Sequence, residues 1–411
     1  MKVLIVSSLY APYIGGGAEI IIQEHAAALR KIGVEVAVLS IGPQSGLVKD
    51  EVDGVAVWRA GIRNVYFHHG ENRPPGWKRS VWHLRDIYNP FMKPYVRQAV
   101  QEFKPDIASC HNITGWSVAA WDALTECRVP IVQVLHDQYL LCPKSTMFRD
   151  HAPCPRQCFS CRLMRLPHAA KSNQVRAVVG VSQFVVNKLL DFGYFKKTPI
   201  KECIHNIRDF PFDPAAMPSR KDDGNVVFGF IGTLAPNKGI ELLLDSFTRC
   251  AQPEWRLLVA GTGGSEYEAM LKGRYADERI TFLGRCAQAD FFTGVDITIT
   301  PSLWEDTFPT VVFESMLFGV PVIGSRRGGI PEMIVPGKTG LLFTPGHSDS
   351  LLEAMHKLAD KIDHFRSSRD AIIRHASPFR DQKGWTERWY RLYQRALSDN
   401  ASLESRSLKL S

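Results

Sequence analysis

The chain has 411 residues, 45% of them apolar, and a formal net charge of +8. That length suits two domains better than one, and the apolar share is enough for ordinary cores. No run of about 18 apolar residues occurs, which argues against a membrane-spanning helix, and no nucleic-acid-binding module accompanies the basic balance, so nucleic acid is not expected as a partner.

Strand and helix signals alternate from the first residues. The opening Met1-Lys2-Val3-Leu4-Ile5-Val6 is too short, and too soon followed by Pro12, for a secretory leader. It reads as a buried strand over 3–7, and a cytoplasmic location is expected. Tyr13-Ile14-Gly15-Gly16-Gly17-Ala18-Glu19 joins that strand to a helix over 18–32. Glycines let a backbone approach a ligand without a Cβ clash, and the helix start behind them can take anionic oxygens. Gly16 and Gly17 are therefore candidate binding residues, with a plain tight turn as the alternative. Gly33 ends the helix. Strands over 34–40 and 55–59 follow, and 64–90 reads as irregular.

Residues 1–210 carry 26 Lys and Arg against 17 Asp and Glu, whereas the remainder carries 24 against 25. Much of the excess lies at Arg63, Arg73, Lys78, Arg79, Arg85, Lys93 and Arg97, interleaved with Trp58, Tyr66, Phe67, Trp77, Trp82 and Tyr88. This mixture suits anionic lipid headgroups or a lipid-diphosphate acceptor, so peripheral contact with the inner membrane face is expected of this half. The alternative is a solvated basic face.

A helix over 95–103 leads to a strand over 105–109 and then His111. The strand 130–135 ends in His136 and Asp137. A histidine there can donate a ring N–H to a sugar hydroxyl or a reacting oxygen. A strand over 177–181 ends at Ser182, a helix cap for 183–190. Residues 209–224 hold three prolines and a charge cluster, and read as a linker.

A second strand–helix series begins at Val226. Gly232-Thr233-Leu234-Ala235-Pro236-Asn237-Lys238-Gly239 joins a strand to a helix over 239–250, and Lys238 beside that helix start makes a phosphate clamp. Strands over 256–260, 280–283, 297–300 and 320–323 follow. Gly261-Thr262-Gly263-Gly264 shapes a pocket wall, and Arg285 follows the next strand. Asp296 and Glu332 read as structural turn residues. In Pro301-Ser302-Leu303-Trp304-Glu305-Asp306-Thr307-Phe308-Pro309-Thr310-Val311-Val312-Phe313-Glu314, two carboxylates stand eight residues apart with a helix start between them. A polar ligand there would meet free N–H groups and a carboxylate on either side. Residues 384–397 form an aromatic-rich helix. The alternation gives an α/β chain of two doubly wound parallel sheets.

The block from Asp306 to Glu314 resembles the E-x7-E region of retaining glycosyltransferases with the GT-B fold, family 4 (glycosyl transferases group 1). That resemblance covers nearly the whole chain. It implies two Rossmann-like domains facing a cleft: residues 1–208 on the acceptor side, a linker over 209–224, a nucleotide-sugar domain over 225–383, and a last helix over 384–411 crossing back. It implies that Glu314 holds the nucleotide ribose, that Asp306 grips the donor sugar in place of the usual Glu, and that the segment Phe308, Pro309, Thr310 and Val311 surrounds it, with backbone N–H groups from all of these but the proline. Pro309 stands where the family has Gly. Lys238 matches the diphosphate-binding lysine, Thr233 stands where an arginine is usual, and Arg326, Arg327 or a cation of the first domain would replace it. His136 matches a histidine that touches the donor sugar, with His111 behind it, and Gly16 and Gly17 lie against phosphate and acceptor. Gly263 and Arg285 fall near the base. The implied co-substrate is a nucleotide sugar, with no obligatory catalytic metal. The acceptor would be a sugar, lipid-linked or other hydroxyl, in cell-surface polysaccharide or glycolipid assembly.

Cys142, Cys154, Cys158 and Cys161 lie in a Pro- and Arg-rich insertion over 138–168. Four thiolates this close in a cytosolic protein can hold a structural Zn²⁺; free loop thiols are the alternative. Three rivals to the transferase reading remain. A donor-binding subunit without turnover is suggested by Thr233 and Asp306. A GT-B phosphorylase would release a sugar phosphate. A dinucleotide-dependent oxidoreductase lacks its acidic residue after the second strand.

Overall fold

The computed structural model describes residues 1–70, 74–220 and 222–407, so Arg73 of the basic run, Lys221 of the linker stretch and residues 408–411 lie outside the described residues. Two compact units emerge: Met1–Met147 with Pro155–Asn206 and the segment from Gln382 onward, and Phe148–Cys154 with Ile207–Asp381.

In the first unit, short apolar runs form strands buried on both faces, the pattern of a covered parallel sheet. The order along the chain is β1 (Lys2–Val6), α1 (Gly17–Lys31), β2 (Glu35–Gly42), β3 (Leu47–Val52), β4 (Val55–Gly61), α2 (Gly76–Arg85), α3 (Lys93–Phe103), β5 (Ile107–Cys110), α4 (Ala119–Glu126) and β6 (Ile131–Leu135). After the two-residue strands β7 (Phe148–Arg149) and β8 (Ala152–Pro153), which group with the second unit, come α5 (Phe159–Met164), α6 (His168–Lys171), β9 (Ala177–Gly180), α7 (Gln183–Asp191) and β10 (Ile200–Cys203). The sheet runs β10-β9-β6-β5-β1-β2-β4-β3, parallel except where β3 meets β4. Ser182 caps α7 by accepting from Val185 N–H at 3.3 Å, and Gly33 has φ +81°.

Two expectations are corrected here. The stretch 64–90 is not wholly irregular, since it contains α2. That helix buries only Trp82, so it lacks the apolar stripe that marks a core helix. Strand β3 was also missed, because it is an edge strand with an exposed, charged surface.

In the second unit, β11 (Val226–Ile231), α8 (Ile240–Thr248), β12 (Trp255–Ala260), α9 (Ser265–Arg274), β13 (Ile280–Gly284), α10 (Gln288–Thr293), β14 (Ile297–Thr300), α11 (Thr310–Leu317), β15 (Val322–Ser325) and β16 (Gly340–Phe343) build a parallel sheet ordered β13-β12-β11-β14-β15-β16. Helices α12 (Ser348–Ala359), α13 (Ile362–Ser367) and α14 (Arg369–Ala376) follow. The proline-rich stretch before β11 is stapled to this unit. Arg369 donates to Ala215 O and Met217 O at 3.0 and 2.9 Å, and Arg380 pairs with Asp213 at 2.5 Å.

The last helix, α15 (Gln382–Ser407), belongs to the first unit. Trp385, Trp389 and Tyr393 recur every four residues, form one stripe, and are buried. Their rings surround His25 of α1 at 4.4–6.0 Å between centroids.

Candidate active site

Open α/β sheets bind ligands where strand order reverses, because adjacent loops part there at the carboxyl ends of the strands. In the second unit that point lies between β11 and β14. The loop after β11 carries Lys238, and the loop after β14 carries Asp306. Lys238 Nζ lies 2.5 Å from Asp306 Oδ2 and 5.1 Å from the Trp304 ring centroid. The two loops are bound together, with Leu303 N–H and Trp304 N–H both donating to Asn237 O. Gly239 has φ +74°, and a Cβ there would fall 2.0 Å from Pro301 O. Only glycine lets the loops close this far. Gly328 makes a similar approach, 1.9 Å from Asp306 O for a built Cβ, while Gly329 N–H donates to that same oxygen at 2.8 Å.

Glu314, one turn into α11, is fully buried. Gln288 Nε2 donates to Oε2 at 2.7 Å, and Thr310 adds a side-chain hydrogen bond. Arg208 Nε lies 2.9 Å from Oε1, close enough for an ion pair though its N–H is off the hydrogen-bond line. Burial raises this carboxyl above its ordinary value, opposed by the Arg208 charge and the hydrogen bonds. Arg208 and Gln288 were not picked out from sequence. Arg208 lies in the irregular stretch after β10 and Gln288 at the start of α10, neither with a motif around it, and only the fold brings them to Glu314.

The other residues of this half divide clearly. Phe308 is buried, its ring packed at a tilt against Phe313 and Phe379 at 5.9 and 5.8 Å, so only its backbone can face a ligand. Pro309 precedes the first turn of α11, where Thr310 and Val311 are half-buried. Thr233 is exposed. Gly263 packs against the Leu234 backbone, and its N–H donates to Glu268 Oε1 at 2.5 Å. Arg285 is exposed, its Nε 3.5 Å from Thr262 Oγ1. Arg327 sits on the turn that folds against Asp306, and its Nε is enclosed with no hydrogen-bond partner among the described residues.

In the first unit the reversal lies between β1 and β5. Gly15, Gly16 and Gly17 follow β1 and are exposed. Gly16 N–H is taken by Glu19 Oε2 at 2.8 Å, whereas a Cβ built on Gly17 meets nothing within 4 Å. Arg59 of β4 fixes the approach to this loop, donating to Tyr10 O at 3.3 Å and to Ala11 O. His111 follows β5 and His136 follows β6. Their rings stack at 5.1 Å, with His111 Nδ1 2.9 Å from His136 Nε2.

That pair ends a buried chain. Tyr393 Oη donates to Ser109 Oγ at 3.0 Å, which uses its single hydrogen. His25 Nε2, 3.2 Å from Tyr393 Oη, is then the donor of that pair. Ser109 passes its hydrogen to His111 Nε2 at 3.2 Å. His111 Nδ1–H in turn donates to His136 Nε2. The opposite direction would leave a hydrogen on His25 Nδ1, which is buried without a partner, and a buried orphan N–H is costly. The chain therefore sets His136 as the tautomer protonated at Nδ1.

Burial holds these rings neutral, lowering His25 to about 3 and His136 to about 4. The unfolded chain takes a proton at His25 below about 6.5 that the folded chain refuses, so stability is lost as pH falls from there towards 3. A His25→Phe variant removes that loss. Its stability relative to the native chain should rise by about 1.4 kcal/mol per pH unit over this window, read by urea unfolding at several pH values. A pH-independent difference would show that His25 is not held neutral.

Of the four candidate metal ligands, Cys142 Sγ and Cys161 Sγ lie 3.7 Å apart. The Cys161 hydrogen bond pulls Cys142 down to about 6. Cys158 Sγ meets Ser160 Oγ at 3.2 Å. The 3.7 Å separation matches the edge of a tetrahedron with Zn–S bonds of about 2.3 Å. Among the described residues, the sulfurs of Cys142, Cys158 and Cys161 are not all within 4.8 Å of one another, so the zinc-like spacing is seen for the Cys142–Cys161 pair.

The comparisons agree across the chain. Residues 15–206 match the family described as Glycosyltransferase Family 4, and residues 225–361 match Glycosyl transferases group 1. An uncharacterised 42.6 kDa protein in the cps region of Klebsiella pneumoniae is 28% identical over 81% of this chain and 87% of its own. The lipopolysaccharide 1,2-N-acetylglucosaminetransferase of Salmonella typhimurium is 32% identical over 39% of this chain, which spans under half of that enzyme (47%). Anabaena HepE, solved in complex with UDP and glucose, superposes with a TM-score of 0.71 at 19% identity, over 96% of this chain and all of that one. Two parallel-sheet units, loops gathered at both switch points and these matches together establish that the chain belongs to the group 1 (family 4) glycosyltransferases of the GT-B fold.

Proposed function

We propose that the chain moves a sugar from a nucleotide-sugar donor to a hydroxyl acceptor with retention of anomeric configuration, in the assembly of a surface polysaccharide or glycolipid. One observation carries this reading: Lys238 and Asp306 meet at the β11/β14 switch point, and Glu314 stands buried eight residues beyond Asp306. A charge pair at the mouth of a parallel sheet suits a donor that has both an anionic end and hydroxyls. The diphosphate takes Lys238, freeing Asp306 for sugar hydroxyls. The ribose diol replaces donors such as Gln288 on the Glu314 carboxylate. As the anomeric C–O bond breaks, its electron pair leaves with the diphosphate, where Lys238 and the first N–H groups of α8 stabilise it. The acceptor oxygen attacks from the same face and its proton passes to the departing phosphate oxygen. His136 is kept as a sugar contact, oriented by the histidine–tyrosine chain. Arg327 is the second cation, in place of the arginine that Thr233 does not supply.

Incubating the full chain with a panel of nucleotide sugars should release free nucleotide from one of them, faster when the acceptor is added. Nucleotide binding without release from any donor would favour the reading as a donor-binding subunit, which the exposed Thr233 keeps in view. A structural zinc on Cys142, Cys154, Cys158 and Cys161 also stands as a proposal. Metal analysis should find about one zinc per chain, and its removal should loosen the insertion; a metal-free chain of unchanged stability would end it.

A further inference from the structure

Exposed apolar side chains gather in two short segments of the first unit that the transferase reading does not use. On α2, Trp77, Val81 and Leu84 are exposed, Trp77 by 66%. At about 100° per residue they share one face, opposite the buried Trp82. Trp82 is the anchor, its Nε1 donating to Tyr66 O at 3.1 Å. On and just after α5, Phe159, Leu163 and Leu166 stand out, Phe159 by 83% and Leu166 by 74%, and α5 buries nothing. An isolated tryptophan or phenylalanine at a surface needs no explanation, but two helices turned this way do.

Both segments are held firmly. Arg165, at the end of α5, is buried. It donates from Nε to Tyr139 O at 2.8 Å and lies 4.3 Å from the Tyr139 ring centroid. Tyr139 Oη in turn donates to the carboxylate of Asp86, the residue that ends α2, at 2.7 Å. His168 Nε2 meets Ile87 O at 3.1 Å. The exits of α2 and α5 are thus tied to one buried node, and their apolar residues are displayed rather than collapsed.

Charge identifies the occupant. No Asp or Glu occurs between Glu71 and Asp86, or between Asp150 and Asp191. The charges beside the apolar residues are Lys78, Arg79, Arg85, Arg156 and Arg162, all positive. Two copies docked through the same face would set these cations against each other. A surface of anionic lipid headgroups over hydrocarbon meets both features: cations find phosphates, and Trp, Phe and Leu enter the interface. We propose that α2 and α5 together form a face that docks on an anionic lipid bilayer.

The test needs no nucleotide sugar, so it stands or falls apart from the transferase reading. The full chain is floated with vesicles of phosphatidylcholine alone or with phosphatidylglycerol added, at low and high salt. Binding is expected to the mixed vesicles, weaker in high salt. The pairs Trp77→Ser with Leu84→Ser and Phe159→Ser with Leu166→Ser should each weaken it about tenfold or more, with an unchanged unfolding midpoint. A charge-reversed variant, Lys78→Glu with Arg162→Glu, should also lose binding. Failure of the native chain to bind mixed vesicles would overturn the proposal. So would variants that bind like the native chain, or a native dimer in solution that the serine variants convert to monomer.

Discussion

Replacing Lys238 by Ala is expected to slow nucleotide release from the donor by about 10²–10³-fold, the usual cost of losing one preorganised group that stabilises developing charge. The lysine stands at the sheet's switch point, and its partner Asp306 is buried beneath it. Bond cleavage moves a full charge onto the diphosphate, so a cation fixed in advance matters more to the transition state than to the bound donor. The loss should fall mainly on kcat. The variant should stay folded, because the loop is held by backbone bonds from Leu303 and Trp304 to Asn237 and by the close approach at Gly239. A rate within about threefold of the native one would show that charge stabilisation does not pass through this residue.

Glu314→Gln should abolish transfer and also cost stability. Shape is conserved, but the charge facing Arg208 is gone, and removing one member of a buried pair costs about 3–5 kcal/mol when the other stays desolvated. Arg208 retains some exposure, so a loss near the lower end is expected, read as a fall in the unfolding midpoint. Arg208→Met probes the pair from the other side. Burial already raises the Glu314 carboxyl, and without the arginine it rises further. The folded variant then holds a proton that the unfolded chain has released, so its deficit is largest at neutral pH and shrinks as pH falls through the carboxylate range. A deficit that did not change with pH would mean that Glu314 and Arg208 are not electrically linked. The double variant should lose less than the two singles added together.

Much of the fold was legible because buried parallel strands are short apolar runs, and those of both sheets stand out. What escaped carries its chemistry in the wrong place for a pattern. Strand β3 faces solvent along an edge. Helix α2 shows its apolar residues to the outside, so its periodicity pointed to no core. At the site, Lys238, Asp306 and Glu314 stood out because each lies in a loop or helix start that follows a strand in a recognisable order. Arg208 and Gln288 were not, because nothing near them in sequence says they will meet a carboxylate 106 and 26 residues away. The direction of the histidine chain was equally hidden. It needs Tyr393, which comes 284 residues after Ser109, and a three-dimensional count of hydrogens.

The aromatic stripe of α15 also has a meaning for how the protein is made. The apolar face that Trp385, Trp389 and Tyr393 cover belongs to segments that leave the ribosome long before the cover is synthesised. Until α15 emerges, the first unit carries an uncapped greasy surface with a histidine at its centre. The nascent chain must be sheltered through that interval, and a transcript truncated before Gln382 would yield a product with no means of sealing it.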